Sequence, residues 1–135
     1  MNLKSILYVE DDADIRLVVS LFLKQKGMEV VEFASGTEAV TEAANVDTIP
    51  DIILLDLMMR DLDGFATLER LRCIEAYQNV PCVFLTARAD ASTAERLAQL
   101  PLTGVIYKPF KLDELIGALE NVMFAIRDEA IENPR

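Results

Sequence analysis

Histidine is absent from this 135-residue chain. That absence removes imidazole general bases, imidazole metal ligands and any phosphohistidine formed on the chain itself. Cysteine is nearly absent: Cys73 and Cys82 show neither a metal-ligand spacing nor a CxxC motif, so two reduced, semi-buried thiols are expected. No uninterrupted apolar run approaches the roughly 20 residues needed to cross a bilayer. A strand-like segment starts almost at Met1, which reads as no signal or transit peptide, and a cytoplasmic protein without membrane contact is the expectation. Basic charge is in short supply, with 13 Lys and Arg against 23 Asp and Glu and a net charge of −10. The few cations are scattered, which argues against a nucleic-acid-binding surface. A nucleotide loop is also missing, because neither the Walker pattern nor GxGxxG occurs.

What is present supports one folded domain. Apolar residues make up 52% of the chain, enough for a real core. A chain of this length buries roughly two thirds of its unfolded surface. Short apolar runs alternate with helical patterns. "SILYV", "EVVEF", "DIILLD", "PCVFLT" and "GVIY" read as strands. The first helix, "DADIRLVVSLFLKQKG", opens with an Asp12 or Asp14 cap and closes at Gly27. Ser35 and Glu38 stand at capping-box spacing, and Ser92 and Glu95 repeat it. "GFATLERLRCIEAY" reads as the third helix, and residues 112 to about 125 as the last, with Asp113 and Glu114 in its first turn. On the first helix, Ile15, Val18, Val19 and Phe22 are expected to pack on the sheet, with Leu17 and Leu21 outward.

Five successive βα units with apolar central strands predict an α/β fold. Its simplest form is a flavodoxin-like (βα)5 arrangement: a doubly wound, five-stranded parallel sheet in the order 2-1-3-4-5. In such a sheet the crevice lies beyond the C-terminal strand ends, at the switch between strands 1 and 3. Strand 1 ends in Glu10, Asp11 and Asp12, strand 3 in Asp56, strand 4 in Thr86 and strand 5 in Lys108. Acidic residues at strand ends are often merely solvated or cap the next helix, and that plain reading is preferred for Asp12 and Asp14. Convergence from four strands makes it a poor account of the others. Clustered carboxylates repel unless protonated or bridged by a cation. Oxygen ligands without His or Cys favour a hard ion, Mg²⁺ before Ca²⁺. A carboxylate beside Mg²⁺, a Lys and a hydroxyl suits acceptance of a phosphoryl group, with an Asp as nucleophile and a donor other than bound ATP. Spacing leaves open which of the three carboxylates is the acceptor.

At these residues the sequence resembles the receiver domain of two-component response regulators, over nearly its whole length and in the manner of single-domain chemotaxis regulators. "ILYVEDD" is similar to the strand carrying the acidic pair, here Glu10 and Asp11. "ILLDLMMRDLDG" is similar to the phosphoacceptor segment, "FLTA" carries Thr86 beside the small Ala87, and "YKPF" carries Lys108. The resemblance implies Asp56 as acceptor and a Mg²⁺ held by Asp11, Asp56 and the backbone carbonyl of Met58, with Glu10 assisting largely through water. It implies that Thr86 and Lys108 contact the phosphoryl oxygens and that a cis peptide precedes Pro109. It also implies a sensor histidine kinase or a histidine phosphotransfer protein as donor, small phosphodonors as substitutes, self-catalysed dephosphorylation and a downstream protein target of unknown identity. Such a domain is a phosphoacceptor switch rather than an enzyme in the usual sense.

Three departures from the family pattern carry expectations. Arg60 stands where the acceptor loop usually has Pro, so the loop is looser or carries an extra charge near the phosphate. Val105 replaces the usual aromatic three residues before the Lys, and Tyr107 reads as a core or rim aromatic. Met58 and Arg88 occupy the two positions that commonly tune dephosphorylation. A degenerate receiver acting as a constitutive interaction module is the competing reading, and the complete acidic, Thr and Lys set argues against it. A haloacid-dehalogenase-like phosphatase would want a second Asp where Met58 stands, and a flavin site would want a Ser/Thr/Gly loop after strand 1. Residues 1–126 are expected to form the receiver and residues 127–135 a polar tail or linker stub. A stand-alone receiver is preferred over one followed by an output domain.

Overall fold

The inner strands of the sheet are sealed on both faces, as their unbroken apolar composition requires. The computed structural model describes residues 3–132, with 128–132 described by backbone alone. Within it β1 (Ser5–Val9), β3 (Ile52–Asp56) and β4 (Cys82–Thr86) occupy the centre, and β2 (Glu29–Phe33) and β5 (Thr103–Tyr107) the edges. All pairings are parallel, in the order β2-β1-β3-β4-β5. The predicted flavodoxin-like order is therefore the observed one. Helices α1 (Ala13–Gln25), α2 (Gly36–Glu42), α3 (Gly64–Leu71), α4 (Ala91–Ala98) and α5 (Leu112–Glu132) connect or follow the strands.

Alternation along each strand sorts side chains into two cores. Ile6, Tyr8, Ile52, Leu54, Val83 and Leu85 meet Val19 and Leu23 of α1 and Leu115 and Leu119 of α5. Leu7, Val9, Ile53, Leu55 and Phe84 meet Ala39 of α2, Leu68 and Leu71 of α3 and Leu97 of α4. Each fully buried aliphatic side chain contributes about 1.5–3 kcal/mol. The sheet thus holds its C-terminal edge rigidly, and the functional residues project from that edge.

Helix termini follow local chemistry with two corrections. Asp12 is the cap of α1, accepting from the amides of Asp14 and Ile15, and Gly27 ends that helix at φ +90°. Ser35 accepts from the amide of Glu38, and the Glu38 carboxylate returns the bond to Ala34 rather than to the cap residue. The cap of α4 is Asp90, not Ser92: its carboxylate takes both the amide and the hydroxyl of Thr93, which leaves Ser92 inside the helix. Helix α3 stops at Leu71 rather than running to Tyr77. The Arg72 guanidinium turns back to the carbonyls of Tyr77 and Val80, and a separate 3₁₀ turn covers Glu75–Tyr77.

The packing face of α1 also differs from expectation. Val19, Ser20 and Leu23 are buried and Phe22 half-buried, while Val18 is 51% and Ile15 38% exposed. Arg16 lies on the same inward side, and its guanidinium donates to the carbonyl of Glu10 at 2.7 Å. At the other end α5 continues past the expected stop near Ala125 to Glu132, and the part of the expected tail beyond residue 132 lies outside the described residues. The two thiols differ: Cys73 is exposed and Cys82 buried, with burial pushing the Cys82 thiol up to about 12.

Candidate functional site

Four strand ends build the site. Glu10 and Asp11 follow β1, Asp56 is the last residue of β3, Thr86 the last of β4, and Lys108 follows β5. The amide of Lys108 donates to the carbonyl of Thr86 at 2.9 Å and that of Glu10 to Phe33 at 3.2 Å, so sheet-like pairing continues into the loops that carry these groups. After β3 the chain turns sharply, and Gly64 lets α3 begin against the segment that follows Asp56. A Cβ at Gly64 would stand 2.8 Å from the carbonyl oxygen of Asp56, and the Gly64 amide donates to Leu57 at 2.8 Å. At Gly36 a Cβ would strike the Thr67 hydroxyl of α3 and stand 2.9 Å from the carbonyl oxygen of Leu62, so α2 abuts the same loop and the helix after it. Asp61 of that loop takes the Thr37 amide at 3.2 Å, and hydrogen bonding, first from the Thr37 hydroxyl and then from the backbone amides of Leu62, Thr37 and Gly36, holds its carboxyl down to about 2.

The sequence-selected carboxylates meet. One oxygen each from Glu10, Asp11 and Asp56 lies within 4.8 Å of the others. Lys108 Nζ stands 3.4 Å from Glu10 Oε1 and 3.4 Å from Asp56 Oδ1. Glu10 and Asp56 are 1% and 4% exposed, which is costly for charged groups unless they are paired. Burial, followed by the adjoining Asp56, pushes the Glu10 carboxyl up to about 7, and Lys108 opposes the rise. Asp56 Oδ1 also receives the Met58 amide at 3.4 Å, while the Met58 side chain is exposed. Thr86 is fully buried, and its Oγ1 accepts from the Arg88 amide at 2.9 Å. The peptide between Lys108 and Pro109 is cis.

Three further residues belong to this neighbourhood, and two of them, Arg16 and Asp90, escaped the sequence. Arg16 secures the Glu10 carbonyl from α1. Asp90 receives Arg88 Nε at 3.1 Å while capping α4, so the segment after Thr86 is tied to that helix. Arg60 binds Asp11. Only the Asp90 link is short-range, and an Asp at the start of a helical pattern is the one signal that could have revealed it. Through its amide and its Nε, Arg60 ties the loop to Asp11 just beyond the end of β1. Tyr107 is a rim residue, 45% exposed beside buried Thr86 across the β4–β5 register.

The donor set fits a hard divalent cation: three carboxylates, no nitrogen or sulfur ligand, and one of the three, Asp11, partly open to solvent. Among the described residues no helix is long and apolar enough to cross a membrane.

Comparison with known proteins agrees with this geometry. The family model described as response regulator receiver domain matches residues 6–120. The phosphate regulon transcriptional regulatory protein PhoB of Escherichia coli is 33% identical over 129 residues, covering 96% of this chain and 56% of PhoB. Hybrid signal transduction histidine kinase D of Dictyostelium discoideum is 30% identical over 122 residues, 90% of this chain but 8% of the kinase. The chain thus spans about half or less of these relatives. The Vibrio cholerae chemotaxis protein CheY4 superposes with a TM-score of 0.81 at 29% identity, covering 90% of this chain and 99% of CheY4. The receiver domain of the Pseudomonas aeruginosa sensor histidine kinase PA1611, solved with a magnesium ion in its active-site cleft, gives a TM-score of 0.76 at 32% identity over 89% of this chain and 97% of that one.

Proposed function

The chain belongs to the response regulator receiver family, and from that premise we propose that it is a signalling switch thrown by phosphorylation of Asp56. A carboxylate oxygen of Asp56 forms the new bond to phosphorus as the P–N bond of a donor phosphohistidine breaks and the imidazole departs with its electron pair. Glu10, Asp11, Asp56 and the Met58 carbonyl are the proposed holders of Mg²⁺, which would supply charge neutralisation to the transferring oxygens. Lys108 offsets charge on the same oxygens, and the Thr86 hydroxyl donates to them once it releases its present place beside the Arg88 amide. The observation that carries this reading is the meeting of the three carboxylates within 4.8 Å under a lysine 3.4 Å from two of them.

The donor is read as a sensor histidine kinase or histidine phosphotransfer protein, docking on α1. That helix exposes Ile15, Leu17, Val18 and Leu21, and Ile15 and Val18 border a groove shared with Phe110 and Leu112. The domain is read as cytoplasmic, and its downstream target as a protein. Incubation with a small acyl phosphate and Mg²⁺, followed by intact mass, tests the assignment. The expected result is one added phosphoryl group on the wild type and none on Asp56→Asn. Equal labelling of both would refute Asp56 as acceptor, and labelling of neither would favour the constitutive interaction module.

A further inference from the structure

Arg60 reaches Asp11 with both its backbone and its side chain. Its amide donates to Asp11 Oδ2 at 3.0 Å, and its Nε donates to the same oxygen at 3.4 Å. The guanidinium itself is open to water, 89% exposed, while Asp11 is 18% exposed. A proline here would have neither the amide donor nor the charge. We infer that Arg60 sets the cation affinity of the site: its amide orients Asp11, and its guanidinium competes with a divalent cation for that carboxylate. The inference rests on the proposed reading of Asp11 as a cation ligand.

The two halves of Arg60 act in opposite directions. A neutral amide bound to Oδ2 restricts the carboxylate's rotation and leaves Oδ1 available, as hydrogen bonds to metal-ligating carboxylates generally do. The guanidinium offsets the charge that an incoming cation would meet, and it repels that cation. Lys108 already counters Glu10 and Asp56. With Arg60 on Asp11, each of the three carboxylates therefore has a protein cation as partner. Because Arg60 is so exposed, its electrostatic effect is modest and falls with salt.

The test is calorimetric titration of Mg²⁺ into wild type, Arg60→Ala, Arg60→Lys, Arg60→Pro and Asp11→Asn, at low and high ionic strength. Arg60→Ala keeps the amide and loses the charge, so it should bind Mg²⁺ about two- to fivefold more tightly at low salt, the range of a surface ion pair. The gain should disappear at high salt. Arg60→Lys should match the wild type, and Arg60→Pro, lacking the amide as well, should bind less tightly than Arg60→Ala. Saturable wild-type binding with Arg60→Ala no tighter overturns the inference alone. No wild-type binding, or undiminished binding by Asp11→Asn, overturns the cation reading and this inference together. Circular dichroism of each variant separates either result from misfolding.

Discussion

Nζ of Lys108 stands 3.4 Å from Oδ1 of Asp56, reaching past the end of β4 from the residue after β5 to the last residue of β3. That places a positive charge beside the proposed acceptor before any phosphoryl group arrives. Lys108→Met should cut the rate of labelling by a small phosphodonor by about 10²-fold, the usual effect of removing one charge-stabilising donor. Mg²⁺ binding should survive, because a competing cation has been removed. Labelling at the wild-type rate would show that the ammonium takes no part.

Glu10 makes stability depend on pH. Its carboxyl is raised from 4.5 to about 7 in the fold, chiefly by burial, so folding favours the protonated form. This contribution is complete below about pH 4.5 and is lost as pH rises through about 7. With a chelator present, the urea midpoint of the wild type relative to Glu10→Gln should therefore fall across that interval. A difference that stays flat, or rises, would contradict the buried, protonated Glu10.

Donor docking should depend on the outward residues of α1. Val18 and Leu21 are each 51% exposed and Leu17 57%. Val18→Glu or Leu17→Glu should slow transfer from the cognate phosphohistidine protein while leaving labelling by a small phosphodonor unchanged. Equal slowing of both reactions would place the defect in the acceptor site instead.

A long-lived phosphoryl group is expected. Met58 offers an attacking water no hydrogen bond, and the Arg88 guanidinium is engaged with Asp90 at 3.1 Å. Met58→Asn should hasten decay of the labelled protein by supplying an amide to orient that water. If the substitution leaves the decay unchanged, hydrolysis is limited elsewhere.

Signal output should pass through the segment after Thr86 and the start of α4. When the Thr86 hydroxyl turns to a phosphoryl oxygen, the Arg88 amide loses its partner, and Arg88 is linked to the Asp90 cap. Val105 is too short and too stiff at χ1 to follow as an aromatic would. Tyr107 already lies at the rim, so Tyr107→Leu should leave the ratio of phosphorylated to unphosphorylated partner affinity nearly unchanged. A structure with a phosphoryl mimic in which Tyr107 swings inward with Thr86 would overturn this account.

Features with short-range causes were legible in the sequence alone. Unbroken runs such as "IILLD" specify inner strands, and Asp12, Ser35 and Gly27 punctuate helices, because each acts on backbone a few residues away. The order of the βα units then brings Glu10, Asp11, Asp56, Thr86 and Lys108 to one edge, since parallel strands with right-handed crossovers all end on the same side. What required the tertiary structure was every choice among locally equivalent options. Helix α1 carries apolar residues around most of its circumference, so periodicity could not select its buried face; the packing of Val19 and Leu23 against the sheet and α5 shows it. Asp90 displaced Ser92 as a cap because its carboxylate could serve both Thr93 and Arg88. Arg60 and Asp11 lie 49 positions apart, and nothing in either segment announces the other. Their meeting depends on β1 and β3 being neighbours, and it is there that a long-range fold turns an ordinary loop arginine into a partner of the acidic cluster.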